Sequence, residues 1–336
     1  SPGMTITLDQ DIALTGDLEI QPGGTLNPNG KTVTLTGNSP QTLTGNPLTF
    51  YRLVLNKTNK TDIVTVAGKL KVSSRLTITK GKLKSASDYG DILIETDGVL
   101  ELNSDITVSG HFTNSGDFDA NGYGVIFDGA VTQYLAANVF TWFQDLTVET
   151  GTTLIESVSD DNVLVQGTLT NNGVIRKTQA IDGLGFFNFG IAGEFNGADL
   201  EMEVTSDSFS DITGSWYEQD HANASATAGL GRYWNITPTG SGEVNLTLPH
   251  DVSPDSNASA CRYTGSGSNW ACGRSSSTAN TVTLDGVTTF SDWSVGNGAP
   301  LSAVLAGFGA QQQGADILVN WETVSEIGNL GFNLWR

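Results

Sequence analysis

Short alternations of apolar and polar residues, each announced by a glycine, run through the first half of the chain. A glycine, any residue and then a large apolar residue recurs at Gly16-Asp17-Leu18, Gly24-Thr25-Leu26, Gly68-Lys69-Leu70, Gly81-Lys82-Leu83, Gly98-Val99-Leu100, Gly110-His111-Phe112, Gly116-Asp117-Phe118, Gly167-Thr168-Leu169 and Gly173-Val174-Ile175. The alternation continues beyond the triplets, as in Leu70 and Val72 or Leu76 and Ile78, with Thr, Lys, Asp and Ser between them. A period of two places one set of side chains in a core and the other in solvent, so these segments predict short strands. Each glycine is expected to supply the turn, and the residue two places on to point inward. No amphipathic helix interrupts the pattern.

One stretch is nearly a copy of another. Asn29-Gly30, Val33, Leu35, Gly37 and Gln41-Thr42-Leu43 return 92 positions later as Asn121-Gly122, Val125, Phe127, Gly129 and Gln133-Tyr134-Leu135. After one extra residue the aromatic-leucine run from Phe50 to Leu55 matches that from Trp142 to Val148. Repetition of strand-and-turn units marks a chain that buries its apolar face by stacking on its neighbours. A repeat this long is several coils of a parallel β-helix, a better fit than one hairpin of an antiparallel sandwich, although the local signals of the two are alike.

The runs Gly110-His111-Phe112-Thr113-Asn114-Ser115-Gly116-Asp117-Phe118 and Gly167-Thr168-Leu169-Thr170-Asn171-Asn172-Gly173 resemble the β-helical repeats of large bacterial surface and adhesin-like proteins. The resemblance covers residues 4–180 and implies architecture and location. Between 181 and 298 the strand candidates lengthen and become rich in aromatics: Phe186 to Ile191, Leu200 to Val204, Tyr233 to Ile236, Val244 to Leu248 and Thr281 to Leu284. These predict an antiparallel β-sandwich. Arg232-Tyr233-Trp234-Asn235-Ile236-Thr237-Pro238 and Phe290-Ser291-Asp292-Trp293-Ser294-Val295-Gly296 resemble the module that follows such repeats in secreted bacterial proteins. Residues 299–336, with Ala315 to Glu322 and Gly331 to Arg336, are similar to the first strands of a fibronectin type III-like domain. That segment is too short to close an immunoglobulin-like fold; if the chain ends at Arg336, its strand residues Ile317, Val319, Trp321, Phe332, Leu334 and Trp335 are expected to complete a sheet in a neighbouring copy, the alternative being a longer precursor cut or truncated to leave a stub.

Charge narrows the partners. A formal net charge of −20 opposes nucleic acid, which requires a cationic footprint. Residues 52–84 nevertheless hold nine of the sixteen cations and one acid, a local +8 that leaves −28 elsewhere. Lys69, Lys71, Lys80, Lys82 and Lys84 alternate with core positions and predict an outward basic face, either guarding an edge or docking an acidic surface such as another copy of the chain. No apolar run approaches the roughly 20 residues that cross a bilayer. The opening Ser1-Pro2-Gly3 reads as a mature end after removal of a signal, and the two cysteines, Cys261 and Cys272, flank a Gly/Ser-rich turn suited to a hairpin disulfide. Secretion to the cell exterior is the expected destination.

Chemistry is hard to find. His111, His221 and His250 are far apart and lack metal-ligand spacing, and neither a nucleophile elbow nor a phosphate loop is present. Asp117, Asp119 and Asp128 are candidates for the carboxylate pair of a β-helix polysaccharide lyase or hydrolase. Asp207, Asp211 and Asp220 invite calcium but lack the spacing of a calcium loop. The sequence therefore predicts no catalytic residue, no cofactor and no enzyme. It points to a structural subunit of an extracellular bacterial filament, sheath or surface layer that self-assembles head to tail. An adhesin or carbohydrate-binding protein, with an extracellular polysaccharide as partner, is the alternative; a polysaccharide-active enzyme is the second.

Overall fold

The structure, a computed structural model, describes residues 3–85, 87–157, 162–190, 198–297, 304–314 and 316–325. The fold is all-β, as the alternation predicts: a parallel β-solenoid of about eight turns is followed along the chain by antiparallel sheets.

Each complete turn of the solenoid carries three strand faces. On the first, the inward residues Ile12, Val33, Leu53, Leu76, Ile92, Phe112, Leu135, Glu156 and Lys177 stand in register, one per turn. On the second, Phe50, Val72, Tyr89, Val108, Phe127, Val148 and Asn171 form the same kind of column. The third face is represented by Leu18, Leu43 and Val66 low in the coil and by Leu83, Leu100 and Phe118 higher up. From Val33 to Leu135 the first column is fully buried. At about 1.5–3 kcal/mol for each large apolar side chain taken out of water, these columns are the main source of the solenoid's stability.

The glycines act differently from the expectation. At Gly68 and Gly81 the backbone is left-handed, with φ of 115° and 107°, as a turn-forming glycine requires. At Gly98 and Gly173 it is not, and the constraint is space. A Cβ at Gly98 would lie 2.2 Å from the carbonyl oxygen of Ile78 in the turn below, and one at Gly173 would lie 2.3 Å from that of Thr152. The Asn-x-Gly motifs follow from this close approach. The buried Asn114 and Asn171 side chains each accept the backbone N–H of the glycine two residues on, Gly116 at 3.0 Å and Gly173 at 3.2 Å, closing the corner against the previous turn.

The 92-residue copy is not a whole number of turns. Val33 belongs to the first face, whereas its counterpart Val125 pairs with Ile106 and Leu146 on the second. Leu43 belongs to the third face and Leu135 to the first. Four turns carry Val33 to Phe112, and Val125 lies two strands further on. The copy is thus rotated onto a different face, and what it preserves is the corner. Asn29 and Asn121 both adopt a left-handed backbone, φ 48° and 49°, and donate to the carbonyls of Leu8 and Leu102. Gln41 and Gln133 each turn inward and donate through Nε2 to two carbonyls of the preceding turn, Leu14 and Gly16 for one, Val108 and Gly110 for the other. Their carbonyl oxygens differ in partner: Gln41 accepts the buried Lys57 ammonium at 2.7 Å, and Gln133 accepts the Gly129 N–H at 2.9 Å.

Between residues 179 and 297 the described strands pair antiparallel in two runs of five. One runs in the order Gly185–Asn188, Glu201–Asp207, Gly242–Pro249, Thr281–Val287, Ser276–Ser277. The other runs Asp211–Tyr217, Tyr233–Thr239, Asp292–Asn297, Ala258–Tyr263, Trp270–Gly273. Their inner faces meet at Gly214, where a Cβ would lie 3.0 Å from Leu200 and 3.1 Å from Phe189. The predicted disulfide is present, joining Cys261 and Cys272 at directly opposed positions of neighbouring strands. Further on, Val304–Gln313 and Asp316–Ser325 form a hairpin in which Phe308 faces Trp321.

Candidate functional site: outer faces of the solenoid

The basic strip lies on the outside, as its alternation predicts, but it is answered within the coil. Lys82 and Lys84 grip one carboxylate, Glu101, at 2.7 and 2.6 Å, and these two contacts hold the Glu101 carboxyl below its usual range. Lys80 lies 3.6 Å from Asp97, Arg75 2.9 Å from Asp91, and Lys60 3.0 Å from Asp117. Each acid comes from a later turn than its cation. The charge separation seen along the sequence is therefore folded into local pairs, since a coil of about twenty residues brings residues 52–84 against residues 88–117. Lys69 and Lys71 are exposed and form no ion pair among the described residues; Lys71 stands in register beside Asp88.

The acids singled out by sequence divide between two places. Asp117 and Asp119 point outward from the strand Asp117–Asp119 on the third face. Asp128 follows Phe127 on the second, in a shallow groove of about 320 Å³ with Lys71, Asp88, Ser73 and Ser109. Burial pushes the Asp128 carboxyl up, with the Asp88 and Glu149 charges adding to the shift and Lys71 opposing it. The three do not converge. Of the aspartates considered for calcium, Asp211 accepts Ser210 and Thr239 hydroxyls and Asp220 accepts the Gly231 N–H at 2.6 Å; among the described residues no group of three metal-ligating side chains forms.

His221 is buried in the second half of the chain. Its Nδ1 accepts the Asn223 N–H at 3.0 Å, which places the proton on Nε2, 3.1 Å from the Asp292 carboxylate. Tyr233, Tyr263 and Trp270 surround the ring at 4.8–5.1 Å. Both ring nitrogens are committed, so the imidazole braces the fold beside the disulfide. His111 is exposed and accepts the Tyr134 N–H at 3.1 Å.

Two features escaped the sequence reading. The first is the Glu156–Lys177 pair at the top of the first column; its signature was a charge at each inward position of Leu154-x-Glu156 and Ile175-x-Lys177, one turn apart. The second is an aromatic groove on the third face. In Phe140-Thr141-Trp142-Phe143 a period of two buries only Thr141 and Phe143, leaving Phe140 74% and Trp142 53% exposed. They line a groove of about 270 Å³ with Asp119, Asn121, Gln144 and Gln166. Its floor is firm: Phe143 packs at 5.3 Å from Phe118 and 5.6 Å from Phe112, and the Thr141 hydroxyl is fixed between Asn114 and the Val139 carbonyl.

In the C-terminal hairpin Phe308, Ile317, Leu318 and Trp321 are exposed and Val319 is half-buried. Phe332, Leu334 and Trp335, expected to share the same role, lie outside the described residues. Comparison of the chain with family models, curated proteins and solved structures finds no match in any of the three. No helix among the described residues is long and apolar enough to cross a membrane.

Proposed function

We propose that this chain is a structural protein of the bacterial cell exterior, a β-solenoid subunit of a filament, sheath or surface layer. The observation that carries this reading is the continuous first-face column, which spends the inward positions of turn after turn on stacking. Scaffolding asks for a long, regular, rigid body, and stacked parallel ladders supply one. The disulfide suits an oxidising compartment.

Because Lys80, Lys82 and Lys84 are neutralised within the coil, assembly in this reading rests on strand addition more than on unlike charges. The hairpin Val304–Gln313 with Asp316–Ser325 is the element that adds, since among the described residues it pairs as a two-stranded ribbon, a marginal unit that exposes Phe308. Electron microscopy of the purified chain tests the proposal. Polymers that disappear in Phe308→Glu/Trp321→Glu are the expected result; a monodisperse monomer at high concentration refutes the assembling role, and polysaccharide turnover by the wild-type chain refutes the non-enzymatic one.

A further inference from the structure

The geometry points to a neutral-glycan site in the groove between Phe140 and Trp142. Two aromatic rings standing in water forgo the burial that draws Phe112, Phe127 and Phe143 into the coil, and they do so side by side at the start of a braced strand. Rigidity matters here. Thr141 and Phe143 on either side of Trp142 are completely buried, and Trp142 stands in register with Leu164 of the next turn, so its ring is presented by a ladder instead of a loose loop.

The polar rim narrows the ligand. Among the described residues the Gln144 and Gln166 side chains have no intramolecular hydrogen-bond partner, leaving amides that both donate and accept. Asp119 contributes one carboxylate oxygen to the Asn121 N–H at 2.9 Å and keeps the other for an incoming donor. A pyranose ring matches this set, with an apolar C–H face to lie on an aromatic and a rim of hydroxyls to satisfy amides and a carboxylate. A nucleotide would also stack, but its phosphate would meet Asp119 with no cation among the lining residues. Uronic-acid polymers meet the same objection. What remains is an uncharged polysaccharide, held by a solvent-open groove with room for a pyranose.

The test uses the full chain with cellohexaose, mannohexaose and laminarihexaose as neutral probes and a galacturonate hexamer as the acidic control, read by saturation-transfer NMR and calorimetry. At least one neutral hexasaccharide should bind and the acidic one should not. Trp142→Ala should weaken that binding by about tenfold or more, and Phe140→Ala by several-fold, with unchanged melting profiles. Should Trp142→Ala disturb folding, Gln166→Ala, on an exposed side chain, carries the test by the same criterion. Failure of all three neutral probes, or binding undiminished in the variants, overturns the proposal. So does loss of self-association in Trp142→Ala by sedimentation without any glycan binding, which would make the groove a contact between copies.

Discussion

The Glu156 carboxylate lies 3.4 Å from the Lys177 ammonium, one turn apart in the inward column that holds Leu135 below them, and each side chain is 2% exposed. Burying a charge is unfavourable unless it is paired, and these two charges are paired across the turn. Replacing Lys177 with Met should therefore lower the stability of the solenoid by about 3–5 kcal/mol. The double change to Glu156→Leu and Lys177→Leu, which extends the apolar column, should be neutral or stabilising. Urea unfolding followed by far-UV circular dichroism separates the two outcomes.

Gln133 should be the costliest amide in the molecule to remove. Its side chain satisfies the Val108 and Gly110 carbonyls and the Gly129 N–H, joining the corners of successive turns. Gln133→Leu keeps the volume but leaves those backbone groups without that partner, each worth about 1–3 kcal/mol when stranded. A loss of at least about 2 kcal/mol in the same urea experiment is expected. A loss within error would mean that water replaces the amide.

Acid should weaken the antiparallel half through His250. Burial pushes this imidazole below the ordinary histidine value, against the pull of a backbone contact at Thr281 and the Asp251 and Asp255 charges. Well above pH 6.5 the ring is neutral folded or unfolded; as pH falls through about 6.5 the unfolded chain takes up the proton first, so stability declines until the lower folded value is passed. His250→Asn retains an acceptor for the Val252 N–H, now bonded to Nδ1 at 3.1 Å, and cannot titrate. The difference in Tm between wild type and variant, measured from pH 7.5 to 5, should change with pH in that window.

Reduction should be felt locally. The Cys261–Cys272 bond closes a loop with a sequence separation of 11 and contributes about 3 kcal/mol on the chain-entropy account. Cys261 packs with Ala228 and Trp270, and a Cβ at Gly296 would fall 2.6 Å from its sulfur. Changing both cysteines to Ser should lower the Tm of the antiparallel half and leave the solenoid transition in place. Gly296→Ala should act in the same direction with the disulfide intact, by crowding. Two resolved calorimetric transitions, only one of them shifted, would be the expected trace.

The strands, the inward residues and the disulfide were legible because period two and opposed cysteines are local signals. Residues such as Leu70, Leu83 and Phe112 are buried where the Gly-x-apolar triplets put them. Pairing across turns was not legible, because it depends on a register that no single segment contains. Thus Lys82 and Lys84 read as a free basic face, although Glu101, seventeen or more residues on, was to neutralise them. For the same reason the role of Gly98 looked conformational when its constraint is the Ile78 carbonyl one turn below. The aromatic groove was written in Phe140-Thr141-Trp142-Phe143, but only a fixed phase of the alternation says which two rings face out.

The displaced copy has a consequence for how such a molecule can change. If a stretch taken from one side of the coil folds equally well on another, the interior imposes no address on it. Inserting or deleting a single strand with its corner would then spin everything downstream by a third of a revolution while leaving the stacking intact. A lineage could re-aim an existing patch toward a new direction without inventing a new interior, so that orientation, and not composition, becomes the variable on which selection acts.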